Sequence, residues 1–323
     1  MEYMPDFQVL RPTTIDDAVA AFASHPEARY VAGGTDLIVN IRRGIAAPKT
    51  LIDLAAIDGM DTIEATDDGT LRIGAGVTLN DLLKNTIIAT DYLAIADAAA
   101  VVAAPTHRNV ATVGGNLCLD TRCVYFNQSE WWRESNAYCL KYKGDVCHVA
   151  PSGDFCFAAF SGDLAPALLV FGATVDIVGP EGLRTLPLAD MYVDDGAAHL
   201  ALGPGDLVTA VRLPGAGKGI SGYAKVRVRD SIDFPLAGIA MNITRDGENL
   251  SALSVALTGL NSCPKLLTGT AGMIGKPLNE EALVALLGKQ IQPMSSTFTP
   301  PGYRRKVAAN LTRALARRLF DAA

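Results

Sequence analysis

Of the six cysteines in the chain, five (Cys118, Cys123, Cys139, Cys147 and Cys156) fall within 39 residues. In a reducing compartment such a group points to metal ligation or thiol chemistry rather than to disulfides. The same stretch holds both tryptophans, Trp131 and Trp132, together with Tyr125, Tyr138 and Tyr142. From Cys123 onward the separations are 16, 8 and 9 positions. Zinc sites favour close Cys-x₂₋₄-Cys pairs, and no standard ferredoxin run has these spacings, so an iron–sulfur cluster, a zinc ion and inert thiols all stay open on spacing alone. His148, beside Cys147, is either a replacement ligand or a local hydrogen-bonding group.

A second kind of chemistry is written in glycine. Val31-Ala32-Gly33-Gly34-Thr35-Asp36-Leu37 reads as a strand ending in paired glycines and continuing into a helix. Backbone N–H groups freed in this way form a concavity suited to phosphate. Neither a Rossmann fingerprint nor a P-loop has this spacing. Ala111-Thr112-Val113-Gly114-Gly115-Asn116-Leu117 repeats the pattern of strand, Gly-Gly and polar residue, and two such loops suit the two ends of one extended phosphate-bearing cofactor. Read blandly, they are two unrelated turns. The hydrolase and metalloprotease signatures are absent, and only His25, His107, His148 and His199 offer imidazole.

The elements that must position these groups are a mixture of strands and helices without regular alternation, an α+β chain. Thr13 or Thr14 caps a helix carrying Ala18, Val19 and Phe22, and Arg29–Ala32 and Leu51–Leu54 read as strands. Thr62–Glu64 and Thr70–Ile73 flank the hairpin signal Asp67-Asp68-Gly69, and Thr78 with Asp81 opens another helix. An Ala-rich helix covers Asp91–Ala103, and Leu168–Val178 and Asp206–Leu213 read as strands. Turn formers from Pro214 to Gly219 mark a boundary. Beyond it, Tyr223–Arg229, Ala237–Thr244 and Ser251–Thr258 form an antiparallel meander, followed by helices over Asn279–Lys289 and Arg304–Phe320. The last helix has Val307, Leu311, Leu315 and Leu319 on its buried stripe, and its arginines read as a solvated face.

At 323 residues, 49% hydrophobic and with a net charge of −6, the chain supplies two cores and lacks the basic face that nucleic acid or anionic lipid requires. Its most apolar stretches, Ala94–Ala104 and Leu164–Ala173, are too short to span a bilayer, and Met1–Asp6 has no signal-peptide character. The expected location is cytoplasmic.

Val31–Leu37, Ala111–Leu117 and Ser161-Gly162-Asp163-Leu164-Ala165-Pro166 occur in the order of the three signature stretches of the FAD-binding subunits of molybdenum hydroxylases, and the chain resembles that family over nearly its whole length. The resemblance implies a two-part FAD-binding domain over 1–216 (subdomains about 1–58 and 59–216) and a smaller α+β flavoprotein domain with an antiparallel sheet over 217–323. It implies that Ala32, Gly33, Gly34, Thr35, Asp36 and Leu37 wrap the FAD pyrophosphate by backbone amides. Thr112, Gly115 and Asn116 would hold the remaining phosphate and ribityl region, Asp163 would accept from cofactor hydroxyls, and Lys225 would approach the flavin ring. Read without the family, Asp163 is a helix N-cap and Lys225 an exposed strand lysine.

In that family only a few residues separate the second and third stretches; here Asn116 and Ser161 are 45 positions apart. The chain therefore carries an insertion, about 119–158, that bears the cysteines. Cys118 belongs to the flavin loop, which leaves Cys123, Cys139, Cys147 and Cys156, the number a [4Fe–4S] cluster requires. Such an insertion resembles the branch that reduces 4-hydroxybenzoyl-CoA to benzoyl-CoA. That likeness implies an electron-transfer subunit working with a molybdenum-cofactor subunit and a [2Fe–2S] subunit, fed by a ferredoxin-like donor, in a heterotrimer that is doubled. The rival readings are a flavin subunit passing electrons outward, a free-standing FAD oxidase and a zinc-stabilised structural subunit.

Overall fold

The computed structural model describes residues 4–215, 217, 219–295 and 299–323. The boundary residues Ala216 and Lys218, and the first three residues of the N-terminal segment, lie outside it.

The chain opens with β1 (Gln8–Leu10), α1 (Ile15–Ser24), β2 (Arg29–Val31), α2 (Leu37–Arg42) and β3 (Thr50–Asp53), in which the strands form a parallel sheet of order β1-β3-β2. Thr14 fixes the start of α1 by accepting from the Asp17 N–H at 3.1 Å. A five-stranded antiparallel sheet of order β4-β5-β8-β6-β7 follows, built from β4 (Ile63–Ala65), β5 (Leu71–Gly74), β6 (Thr174–Gly179), β7 (Gly182–Pro187) and β8 (Leu207–Leu213). Between β5 and β6 run the helices α3 (Leu79–Lys84), α4 (Thr86–Asp91), α5 (Leu93–Ala100), α6 (Pro105–Arg108), α7 (Val113–Leu117), α8 (Glu130–Ser135) and α9 (Leu164–Leu169). Ile73, Leu79, Ile95, Leu164, Val175 and Val211 are fully buried in the core these elements share.

The last third is a meander of β9 (Ile220–Val226), β10 (Ala237–Asp246), β11 (Asn249–Thr258) and the short β12 (Lys265–Leu266), backed by α10 (Glu280–Gly288) and α11 (Pro301–Ala322). β10 and β11 turn at Asp246-Gly247, with Gly247 at φ 59°, a conformation glycine adopts without strain. Ile239, Met241, Val255, Leu283, Leu315 and Leu319 make a second core. The two parts are sewn together: the Ala94 N–H donates to Ser221 Oγ and the Tyr223 N–H to Asp97 Oδ2.

Three expectations change. Gly114 and Gly115 lie inside the short helix α7, not at a strand end, because Thr112 caps that helix by accepting from the Gly115 N–H at 3.1 Å. The run from Leu168 is first helix and then strand: Leu164–Leu169 is helical and buried on all sides, so its unbroken apolar character carried no period to separate the two. The arginines of α11 are not simply solvated. Arg313 and Arg317 make two-pronged pairs with Glu281 and Glu280 of α10, and buried Arg304 donates to the Gly259 carbonyl.

Candidate cofactor sites

The three signature stretches lie side by side. Gly33 abuts the Val110 carbonyl so closely that any Cβ there would strike it, and this contact between the first two loops is what requires glycine. Gly34 is needed for a different reason, its φ of +69°. The second loop meets the third where Asn116 Oδ1 accepts from the Leu164 N–H at 3.1 Å. Asp163 stands at the cap position of α9 yet makes no cap hydrogen bond, because Asn116 fills that role. Its carboxylate instead accepts from Tyr223 Oη at 2.6 Å and from Lys225 Nζ at 3.0 Å. Lys225 is 2% exposed, so it is no ordinary strand lysine, and it also donates to the Asp233 carbonyl at 3.3 Å. Burial pushes the Asp163 carboxyl up and the Lys225 ammonium down, while their mutual attraction opposes both.

Ala32, Gly33, Gly34, Thr35, Asp36 and Leu37 therefore adjoin Thr112, Gly115 and Asn116, and these in turn adjoin Asp163 and Lys225. Gly33 and Gly115 are both exposed, leaving bare backbone on the two loops. Exposed glycine backbone of this kind suits phosphate, and the buried Asp163–Lys225 pair lies beside the third stretch.

The insertion is closed at its neck by a backbone bridge in which Arg122 and Ala159 exchange hydrogen bonds of 2.8 and 2.9 Å. Inside it only α8 is regular, and Ser129 caps that helix. Ala137, Tyr138 and Lys143 sit at φ 56–60°, which costs a non-glycine residue about 1–2 kcal/mol each. This strain is concentrated around the tight turn that presents Cys139, whose carbonyl accepts from the Tyr142 N–H.

Cys123, Cys139, Cys147 and Cys156 line one cavity partly open to solvent, together with Tyr125, Phe126, Leu140, Lys141, His148 and Val149. Burial raises the thiols of Cys123 and Cys156, the latter to about 12, and the neighbouring thiols add to the rise. Thiols so placed keep their protons unless a metal displaces them. Among the described residues no group of three or more His, Cys, Asp or Glu side chains is arranged to hold a metal ion. Four thiols on one cavity match in number and kind the donors that either a tetrahedral zinc ion or a cubane takes. Lys141 Nζ, buried at the cavity wall, pairs with Asp120 at 2.7 Å and lies over the Phe126 ring. His148 shares a hydrogen bond of 2.5 Å with the Tyr138 carbonyl through Nε2, a local role. Cys118 packs on the first core away from the cavity.

Four participants escaped the sequence reading. Tyr223 stands two positions before Lys225 on one face of β9, a period-2 signal that was there to be used. Arg122 and Lys141 had no local signal, because their partners are distant in sequence; Arg133 pairs locally with Glu130, but its contact with Gly44 lies far along the chain.

Two adjoining glycine loops with a buried lysine–aspartate pair, on a mixed-sheet domain followed by an antiparallel meander, suit a protein that binds a nucleotide-type cofactor. Residues 5–216 match the FAD binding domain in molybdopterin dehydrogenase, and residues 222–319 match the CO dehydrogenase flavoprotein C-terminal domain. The chain belongs to this family, as an FAD-binding subunit of the molybdenum hydroxylase enzymes. It is 37% identical over 304 residues to the aldehyde oxidoreductase FAD-binding subunit PaoB of Escherichia coli K12, covering 91% of this chain and 90% of that one. It is 31% identical over 317 residues to the carbon monoxide dehydrogenase medium chain of Afipia carboxidovorans, covering 95% and 94%. Among solved structures, the Cu,Mo-CO dehydrogenase superposes with a TM-score of 0.81 at 25% identity, covering 99% of this chain and all of that one. Among the described residues no helix is long and apolar enough to cross a membrane.

Proposed function

We propose that this chain is the electron-transfer subunit of a molybdenum hydroxylase complex and carries a [4Fe–4S] cluster beside its FAD. The observation that carries the cluster is the convergence of Cys123, Cys139, Cys147 and Cys156 on one cavity. In this reading residues 1–216 grip the FAD and 217–323 complete its pocket through Tyr223 and Lys225. The flavin supplies exchange of one or two electrons. Ala32–Leu37 offers backbone N–H groups to its phosphates, Thr112, Gly115 and Asn116 hold the remaining phosphate and ribityl region, Asp163 holds Lys225 in place, and the ammonium of Lys225 favours negative charge on the nearby ring. Substrate chemistry belongs to a partner molybdenum-cofactor subunit, with a [2Fe–2S] subunit between.

Two substrates follow from two observations. The cysteine-bearing insertion favours reductive removal of the hydroxyl of 4-hydroxybenzoyl-CoA, with electrons from a ferredoxin-like donor. The likeness to a protein named aldehyde oxidoreductase FAD-binding subunit, over 91% of this chain, favours oxidation of an aldehyde with electrons leaving through the flavin. Assay of the purified complex separates them: one reading requires turnover of 4-hydroxybenzoyl-CoA with a reduced donor, the other of aldehydes with an oxidised acceptor. The cluster itself is tested by EPR of the full chain reduced anaerobically. A cubane signal in the wild type that Cys147→Ser abolishes supports it; a wild type without that signal overturns it.

A further inference from the structure

The insertion does more than enclose four cysteines: it holds α2, the helix that continues the first glycine loop, along its whole length. At the start of α2 the Arg122 guanidinium pairs with Asp36, and one turn on its Nη1 donates to Asn40 Oδ1 at 3.0 Å. Just past the end of α2, Arg133 Nη2 donates to the Gly44 carbonyl at 2.8 Å. Each arginine also adjoins a residue that lines the cysteine cavity. Arg122 precedes Cys123 and has its own backbone fixed by Ala159. Arg133, 2% exposed, lies over the rings of Phe126, which lines the cavity, and Tyr142. The face of Arg122 is covered in turn by Phe234, from the loop whose Asp233 carbonyl accepts from Lys225. Buried guanidinium atoms of both residues, Nε of Arg122 and Nε and Nη1 of Arg133, have no hydrogen-bond partner. Their positions are therefore set by a few directed contacts and by the packing of the insertion, not by a saturated network.

We infer that filling the cysteine cavity and binding FAD are thermodynamically coupled, with Arg122 as the positioning residue that links them. Drawing the four cysteines around a cluster fixes the Cys123 backbone and the Phe126 wall. This holds Arg122 and Arg133 on α2 and so presets the glycine loop for the FAD phosphates. A loop ordered beforehand binds tighter because less ordering is left to the ligand. Linkage makes the effect reciprocal: FAD must strengthen retention of the cluster by the same factor. The inference rests on the cluster reading above.

The experiment is FAD titration of the full-length chain, followed by quenching of flavin fluorescence, with the cluster intact and after chelator stripping, and with iron and sulfide measured in each sample. The wild type is expected to lose roughly 5- to 50-fold in FAD affinity on stripping, within the usual range of coupling between two sites. Arg122→Met is expected to bind FAD with nearly the same affinity in both states. Should Arg122→Met fail to take up iron, Asn40→Ala removes an Arg122 acceptor without touching the insertion and should shrink the difference. Equal affinities for loaded and stripped wild type overturn the coupling. A loss on stripping that persists undiminished in both variants overturns the role of Arg122. A wild type that takes up no iron overturns the cluster reading and the coupling with it, and the metal analysis shows which has failed.

Discussion

A carboxylate with a tyrosine hydroxyl on one oxygen and a lysine ammonium on the other is costly to disturb from either side. Both Asp163 and Lys225 are almost wholly buried, so Asp163→Ala strands a cation without its partner. Urea unfolding should show a loss of about 3–5 kcal/mol, with Asp163→Asn/Lys225→Met recovering part of it because neither charge is then left alone. His199 offers a pH signature. Burial lowers its pKa below the ordinary 6.5, and its Nε2 shares a 3.0 Å hydrogen bond with the Leu119 carbonyl. On acidification the unfolded chain takes up the proton first, so stability present above about pH 6.5 is lost as pH falls through that value toward the folded pKa. His199→Gln, which keeps a donor for Leu119, should flatten the dependence of stability on pH below about 6.5. At this scale much was legible in the sequence. Thr14 and Thr78 cap the helices that their spacing announced. Asp163 was legible as important but not in its geometry, since no local rule says that Asn116 would take over the cap and free the carboxylate for β9.

Elements were legible where period or turn chemistry was strong: the hairpin at Asp67-Asp68-Gly69, the meander around Asp246-Gly247 and the amphipathic α11. They were illegible where burial erased the period, as in α9, or where length gave no pattern, as in β1, whose three residues join a parallel sheet only through β3. The segment between Arg122 and Ala159 stood out in the sequence by its cysteine count. Its fold was not legible, because its structure comes from arginine–aromatic stacking and strained turns rather than from propensity. The glycine loops yield a prediction at this scale. Gly33→Ala must push the first loop off Val110, so it should cut FAD affinity by at least tenfold and lower the melting temperature by several degrees. Gly44, with open space where its Cβ would go, is the control: Gly44→Ala pays only for its positive φ, about 1–2 kcal/mol, and should leave FAD affinity near wild type.

Across the whole molecule, the insertion grows from two strands of backbone that already pair at Arg122 and Ala159. Replacing 123–158 by a short glycine-containing turn should therefore leave a folded flavoprotein with its two cores intact. Circular dichroism and FAD titration check this; collapse of the fold would mean that the insertion is structural rather than added. Cys156 also ties the cavity to both parts of the chain, its carbonyl accepting from the Gly196 N–H and from Ser262 Oγ. A filled cavity should then raise the melting temperature of the whole chain rather than of the insertion alone.

Flavin and metal stoichiometry of the full chain purified anaerobically tests most directly whether one chain carries two redox groups. One FAD and about four irons with matching sulfide per chain are expected, with iron and sulfide lost in Cys139→Ser and kept in Cys118→Ser. One FAD with no iron, or with zinc that Cys139→Ser removes, would contradict a second redox group.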